Sequence, residues 1–340
     1  MLNKPKTFFD FCSGIGGGRL GLELNNLSCV GHSELDLETA KVYSSIHNDK
    51  RNFGDLTKIN SKSLPTFDIL IAGFPCQTFS IVGKRTGFED NRGLIINYLI
   101  NILVEKDVPY FIFENVKGLV NHDKGNTLKS ILSQLTEAGY YVHYKVLDSQ
   151  NYGVPQMRER IYIVGSKKNI DFKFPPSILQ NKSLENFLIG EDNKELPTDN
   201  LTFTKYLNNK YNKDKHDLSK LLKEDYLILD TRQSDLRIYK DKCPTLRTGR
   251  HGILYVKNGK LKKLSSIEAL LLQGFSLQTA NLAKFSGVSE SKLLGIAGNA
   301  MTVNVIQAIS EKLLISINEK LSDIPIERNE QHLCLNQMIS

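Results

Sequence analysis

Apolar and polar positions along the first half of the chain fall into short blocks that predict its elements. Phe67–Ala72 (FDILIA) and Tyr110–Phe113 (YFIF) are fully apolar runs, the pattern of strands buried on both faces. Lys6–Cys12 reads as a strand ending in a glycine-rich turn, and Ser28–Ser33 as a second strand. Tyr140–Leu147 and Arg160–Gly165 complete the strands. Between them, Arg19–Asn26, Leu37–His47, Gly93–Val104 and Asn126–Ala138 have helical spacing, and Gly139 supplies a C-cap for the last. Strands alternating with helices predict βαβ units and an α/β fold with a doubly wound, mostly parallel sheet.

The pattern breaks after Gly165. Residues 172–263 are rich in Lys, Asn and Asp, with few sustained periodic runs, and Phe174-Pro175-Pro176 looks like a linker. Helical spacing resumes near Ser265 and stops at Gly274. It returns over Val303–Leu321, after the turn Gly298-Asn299-Ala300. Both helices are apolar on one face and need a core to pack against. The expectation is one unit built from 1–170 plus 265–325, a smaller inserted unit at 171–264, and a polar tail at 326–340. No internal repeat is present.

Length and composition narrow the classes. A chain of 340 residues suggests about two domains. With 40% hydrophobic and 24% charged residues it is not a mainly disordered chain. No run of 18 or more apolar residues is present, and Met1–Lys6 lacks the apolar core of a signal peptide. The five cysteines, at 12, 29, 76, 243 and 334, include no Cys-x-x-Cys pair, which argues against a disulfide framework or a zinc site. A reducing cytoplasm, with no membrane association, is the expected compartment.

Charge changes the picture more. The net charge is +7, and residues 166–264 alone hold 21 Lys+Arg against 13 Asp+Glu, a net of +8. The whole excess therefore sits in one contiguous third. That third is either a solvated lysine-rich surface or a face for a polyanion such as nucleic acid.

Four motifs stand at predicted strand ends. The first is Phe9-Asp10-Phe11-Cys12-Ser13-Gly14-Ile15-Gly16-Gly17-Gly18. Glycines there let a ligand approach the backbone, and a helix N-terminus offers free N–H groups. Alone, the turn is equally a plain tight connection. Glu34, about 20 residues on at the end of the second strand, can accept both hydroxyls of a ribose. Asp55 precedes the next strand and can accept from an adenine amino group. Together they fit an adenosine-containing cofactor.

The second motif, Gly73-Phe74-Pro75-Cys76-Gln77-Thr78-Phe79-Ser80, places a cysteine in a proline-shaped turn past a strand end, where an exposed nucleophile is better served than core filler. The loop after it carries Lys84, Arg85 and Arg92 among glycines, a composition suited to a lid over nucleic acid. The third, Phe113-Glu114-Asn115-Val116, brings a carboxyl out of an apolar strand, where a raised pKa is expected. The fourth is Gln156-Met157-Arg158-Glu159-Arg160. Its two arginines at alternate positions are expected to face one side and clamp a base carbonyl and a phosphate.

This set, in this order, resembles the DNA (cytosine-5) methyltransferases of the bacterial restriction-modification type. The match runs over nearly the whole chain, through Pro75-Cys76-Gln77, Glu114-Asn115-Val116, Gln156-x-Arg158-x-Arg160 and Gly298-Asn299. The resemblance implies a Rossmann-like methyltransferase that uses S-adenosylmethionine to methylate carbon 5 of a flipped-out cytosine in a specific duplex sequence. The basic segment falls where the family keeps its target-recognition domain, and Pro244-Thr245-Leu246 looks like its Thr-Leu element.

Residue roles follow from the same resemblance. Cys76 would add to carbon 6, Glu114 would serve ring nitrogen 3, and Arg160, supported by Arg158, would hold the base carbonyl or adjacent phosphate. Asp10, Cys12, Gly14, Gly16, Gly17, Glu34, Leu35, Asp55, Leu56, Pro75, Asn299 and Ala300 would bound the cofactor. Gln77, Ser80, Lys84, Arg85 and Arg92 would meet DNA, as would Arg232, Gln233, Arg237, Thr245, Arg247, Arg250 and His251. No metal is required. The expected state is a monomer; the sequence leaves open whether a cognate restriction endonuclease acts on the same site, and none is expected to bind the enzyme.

Three positions depart from the family pattern. Cys12 and Leu35 stand where aromatic residues usually flank the adenine, and Ile267 stands where an Arg usually precedes Glu268. Three rival readings remain. A dinucleotide-dependent oxidoreductase would leave Pro75-Cys76-Gln77 and the basic segment unexplained. A tRNA cytosine methyltransferase of the same superfamily would be expected to carry another residue in place of Gln77. A catalytically dead DNA-binding relative would not need Cys76, Glu114 and Arg160 together.

Overall fold

The structure is a computed structural model that describes residues 4–75, 95–178, 182–190 and 195–322. Cys76, Gln77, Ser80, Lys84, Arg85 and Arg92, and the tail at 326–340, lie outside the described residues.

The first sheet holds six strands: β1 (Thr7–Phe11), β2 (Ser28–Ser33), β3 (Ile69–Gly73), β4 (Tyr110–Val116), β5 (Tyr141–Asp148) and, after the two-residue β6 (Gln156–Met157), β7 (Glu159–Ser166). Their order is β2-β1-β3-β4-β7-β5. The pairs β1–β2, β1–β3 and β3–β4 are parallel. β7 runs antiparallel to both neighbours, so the sheet is mostly parallel, as expected.

Side-chain alternation splits the sheet between two helix layers. Helices α1 (Gly17–Glu23) and α2 (Leu37–His47) precede α3 (Ile95–Glu105) and α4 (Asn126–Glu137), and Phe9 and Phe11 point to the core shared with α3 and α4. Phe8 points the other way, to the core that Leu22 of α1 shares with the C-terminal helix Val303–Ser322. That helix buries Val305, Ile306, Ile309, Leu313 and Ile317 completely, all on the side facing the sheet. The apolar stretch Glu290–Glu319, which contains most of it, is long enough to cross a membrane, and most of it is buried inside the protein.

The lysine-rich segment is not irregular. It contains α5 (Leu201–Leu207), α6 (Leu218–Leu221) and an antiparallel sheet of order β10-β9-β12-β13-β8. Those strands are β8 (Glu195–Leu196), β9 (Ile228–Asp230), β10 (Arg237–Tyr239), β12 (Ile253–Lys257) and β13 (Lys260–Lys263). The sheet has a core of its own, with Phe203, Leu229, Leu236, Leu254, Val256 and Leu261. β11 (Cys243–Pro244) leaves it and pairs with β6.

The chain then returns through α7 (Ser266–Leu271), α8 (Leu277–Phe285), α9 (Glu290–Asn299) and α10, the Val303–Ser322 helix. α8 and α9 were not apparent from the sequence pattern. A fourth apolar core fills the seam between these helices and the antiparallel sheet. Glu268 crosses that seam: fully buried, it accepts from Tyr255 Oη at 2.7 Å and from the Gly190 N–H at 3.0 Å. Ile267, in place of the family's usual Arg, is buried in this apolar seam.

Candidate active site

The carboxyl ends of β1 to β4 and the start of β7 lie along one edge of the first sheet, as the parallel registers and the reversed β7 require. In open α/β sheets ligands bind outside that edge.

At the β1–β2 end, the Gly14 N–H donates to Glu34 Oε2 at 2.9 Å and the Asp36 N–H to Oε1 at 2.8 Å. Burial raises the Glu34 carboxyl despite these bonds. Asn52, which the sequence did not flag, aligns this corner. It accepts from Glu34 N and Gly54 N and donates to the Glu34 carbonyl. Asp10 is fully buried, and neither of its oxygens has a hydrogen-bond partner of normal geometry, although the backbone N–H of Arg19 approaches it. Burial pushes its carboxyl well above the ordinary range, partly offset by the Arg19 charge. The Ser13 hydroxyl is also buried, without a partner among the described residues.

Cys12 sits at φ 48°, strained for a non-glycine residue, and burial pushes its thiol up to about 12. It is a poor nucleophile by environment as well as by position. Gly14, at φ 56°, has open space where a Cβ would stand, as a ligand-facing position needs. Gly16 and Gly17 are set against the protein on their Cβ side. A Cβ on Gly16 would overlap the His47 imidazole, and one on Gly17 would overlap the Met301 carbonyl. Their close approach is to the protein itself.

Other cofactor candidates divide. Leu35 is 69% exposed, an apolar side chain left at the rim. Asp55 caps the turn after it, with Oδ1 accepting from Thr57 N and Oγ1, and Lys58 lies 3.6 Å from Oδ2. Leu56, expected to line the adenine, is 4% exposed and belongs to the core with Phe9 and Phe11. Asn299 is turned the other way: its Oδ1 accepts from Thr248 Oγ1 at 2.6 Å. Ala300 is buried, and its carbonyl accepts from Arg158.

At the β4–β7 end, register pairs Glu114 with Tyr162 and Val116 with Arg160. Glu114 and Arg160 are therefore diagonal neighbours on one face. Arg160 Nε lies 3.1 Å from Glu114 Oε1, with both side chains nearly buried. The apolar setting inferred for Glu114 is thus incomplete, because a guanidinium stands against it. Gly73, paired with Glu114, packs against Met301: a Cβ there would stand 3.2 Å from the Met301 methyl carbon. Asn115 Nδ2 donates to the Phe74 carbonyl at 2.9 Å, tying this end to the residues just before Cys76. Phe74 is buried and Pro75, the last described residue before Cys76, is exposed.

Arg158 does not share the side of Arg160. It is 3% exposed, and its guanidinium donates to the carbonyls of Gly298, Ala300 and, at 3.4 Å, Leu246. Burial and the neighbouring Arg160 lower its pKa to about 9. Gln156 works alongside: Oε1 accepts from Leu246 N and Nε2 donates to the Leu272 carbonyl. Thr245 Oγ1 donates to the Met157 carbonyl. The Gln-Met-Arg run thus grips the Pro-Thr-Leu run side by side.

Between these parts lies a cleft of about 690 Å³, lined on one side by Lys117, Met157 and Arg160 and on the other by Gln233, Arg237, Thr245, Arg247, Arg250 and Asn299. Arg247 and Arg250 are exposed and have no ion pair among the described residues. Arg237 lies 3.5 Å from Asp235. Arg232 is a brace rather than a free donor: it is bidentate to Asp230 at 2.7 and 2.8 Å and donates to the Thr245 carbonyl. His251 faces away, toward a second cavity lined by Phe203, Thr231 and Ile267.

Comparison with known proteins accords with this geometry. The family model for C-5 cytosine-specific DNA methylases matches residues 6–314. The chain is 36% identical over 328 residues to the Type II methyltransferase M.BsuFI of Bacillus subtilis, covering 91% of this chain and 74% of that protein. It is 35% identical over 318 residues to the Type II methyltransferase M.HaeII of Haemophilus aegyptius, covering 93% and 95%. In fold it is similar to a DNMT2 mutant of Spodoptera frugiperda, with a TM-score of 0.66 at 21% identity over 91% of this chain and 99% of that one. The glycine turn, the buried Glu114–Arg160 pair and the matched span together place the chain among the C-5 cytosine-specific DNA methylases, enzymes that methylate carbon 5 of cytosine in DNA.

Proposed function

We propose that the methyl donor is S-adenosylmethionine, bound across the β1–β2 end of the sheet, and that Cys76 attacks a cytosine flipped into the cleft beside Glu114 and Arg160. The observation that carries this reading is the buried Glu114–Arg160 pair, joined through Asn115 to the carbonyl of Phe74, two residues before Cys76.

The residues present fit the donor. Asp10 is a buried carboxylate without a full partner, suited to a cationic ligand. Glu34 would accept from the ribose, Gly14 has open space on its Cβ side, and Leu35 offers an apolar rim. Asp55 would turn Oδ2, which faces the exposed Lys58 ammonium 3.6 Å away, to an amino group, with its other oxygen bound to Thr57. When bound, S-adenosylmethionine supplies an electrophilic methyl group.

The chain supplies the rest. The Cys76 thiolate forms a bond to carbon 6 of cytosine, and the ring electrons move toward carbon 5. Glu114 bonds ring nitrogen 3 and Arg160 bonds the base oxygen, offsetting the charge that develops. Carbon 5 takes the methyl group. Loss of its proton to a base then expels the thiolate. The target is reached by flipping out of the duplex.

In this reading residues 171–264 form the target-recognition domain and 1–170 with 265–325 the catalytic domain. Arg247, Arg250, Arg237 and Gln233 are the cleft residues available to DNA. The enzyme works in the cytoplasm as a monomer, with no membrane. The test is transfer of labelled methyl from S-adenosylmethionine to duplex DNA, with bisulfite sequencing to find the base and its context. Replacing Cys76 by Ser should abolish transfer in a folded protein; undiminished methylation by that variant would refute the assignment.

A further inference from the structure

Residues 205–223 hold six lysines and two aspartates, half of the excess charge of the basic segment. They run from the end of α5, through a series of turns, into α6. Their apolar side is accounted for: Tyr206, Leu207, Leu218, Leu221 and Leu222 pack on the core of the antiparallel sheet. All six lysines are exposed on the other side. Lys220 lies 3.6 Å from Asp217 and Lys210 over the Tyr211 ring. Lys205, Lys213, Lys215 and Lys223 have no ion pair among the described residues.

This lysine lobe is bolted to the rim of the cleft. Tyr206 Oη donates to the Gln233 carbonyl at 2.9 Å, and Asn209 Nδ2 to the Ser234 carbonyl at 2.9 Å. Asn212 is 2% exposed. It donates to the carbonyls of Tyr206 and Ser234, and its own oxygen accepts from Leu236 N at 2.7 Å. The turn so held carries Gln233 and Arg237, both of which line the cleft. A lysine surface that served only solubility would need no fixed position. Here a buried, fully bonded asparagine sets the lobe against the wall that faces DNA, and burying such a group is costly unless every bond is made.

We propose that residues 205–223 are a second DNA-contacting surface, which grips the phosphate backbone of duplex flanking the target site. The proposal rests on the cleft receiving duplex DNA. Its chemistry is sequence-independent: ammonium groups replace condensed counterions, so each contact steepens the salt dependence of binding. The lobe lengthens the footprint and leaves the choice of bases to the cleft.

The experiment uses the full chain and its K210Q/K213Q/K215Q variant, with two duplexes carrying the enzyme's own target, about 12 and about 30 base pairs long. Wild type should bind the longer duplex more tightly and with the steeper salt slope. The variant should lose about 2 to 3 units of that slope on the long duplex, at about 0.9 per phosphate contact. Its binding and methylation of the short duplex should be unchanged. An unchanged slope on the long duplex would overturn the proposal. So would equal losses on both lengths, which would place the lysines in the cleft or the fold. If wild type bound neither duplex, the reading of the cleft itself would fail.

Discussion

Arg160 and Glu114 meet because one antiparallel strand is set into a parallel sheet. β7 runs against β4, so the start of one strand meets the end of the other, and the guanidinium lies 3.1 Å from the carboxylate. Glu114→Gln keeps the shape and removes the charge, and Arg160→Ala removes the cation. Each should lower the single-turnover rate of methyl transfer by about 100- to 10,000-fold, the range for a positioned acid–base or charge-stabilising group. Binding of S-adenosylmethionine, measured by calorimetry, should stay near wild type. A rate within twofold of wild type for either variant would remove the pair from the chemistry.

Arg158 should behave as a brace. Arg158→Ala strips the donor from the buried carbonyls of Gly298 and Ala300, and a buried unsatisfied group costs about 1–3 kcal/mol. The variant should lose about 3 kcal/mol or more of unfolding free energy in urea. Its KM for DNA should rise because the segment at Leu246 loses its anchor. Arg158→Lys should recover only part of both. Full stability with lost catalysis would instead assign Arg158 to the substrate.

His47 supports the glycine turn from beneath. Its Nε2 lies 3.2 Å from the Ile15 carbonyl, which has no proton to give, so Nε2 must donate. The ring occupies the volume that a Cβ on Gly16 would need. His47→Phe fills the volume without the donor, and His47→Gln keeps a donor. Phe should weaken equilibrium binding of S-adenosylmethionine by about 3- to 10-fold, the worth of one net hydrogen bond, while Gln should bind more tightly than Phe. Equal affinity in all three proteins would show that the turn stands without this bond.

The same region makes stability depend on pH. Burial lowers the pKa of His32 to about 4, and burial followed by the Arg19 charge lowers that of His47 to about 3, from an ordinary 6.5. Below pH 6.5 the unfolded chain takes up protons that the folded chain refuses. The stabilisation is therefore whole above pH 6.5 and lost as pH falls toward 4. The melting temperature should drop over that window, and less steeply in His47→Gln. A flat profile in wild type would contradict the buried, neutral state of both rings.

The sheet was legible because its strands are apolar blocks: β2 and α2 have the bounds that their patterns predict, Ser28–Ser33 and Leu37–His47. The antiparallel sheet was not legible. Its strands run only two to five residues, and the pairs β9–β12 and β8–β13 form across long stretches of polar chain. The site divides in the same way. Motif order brought out Glu114 and Arg160, whose roles come from strand ends. It misread Arg158, whose carbonyl partners lie in distant chain segments that no motif marks, and Arg232, whose pairing with nearby Asp230 a count of donors passes over. Gly16 and Gly17 resembled ligand-facing glycines. The atoms that exclude a side chain there belong to His47 and Met301.

The docking of α10 on α1 also has a bearing on biosynthesis. Asn25, just past α1, donates to the Gln307 carbonyl and to Ser310 Oγ, and Ile306 fills the space that a Cβ on Gly21 would take. α1 therefore waits for α10. A nascent chain that has already emerged past Asn299 still has Phe8, Ile69 and Ile71 uncovered on the face that α10 will close. Such late, long-range closure makes folding slow and leaves apolar surface open to chaperones meanwhile. Catalytic competence then arrives in one late step, after all the cleft-lining residues have been made.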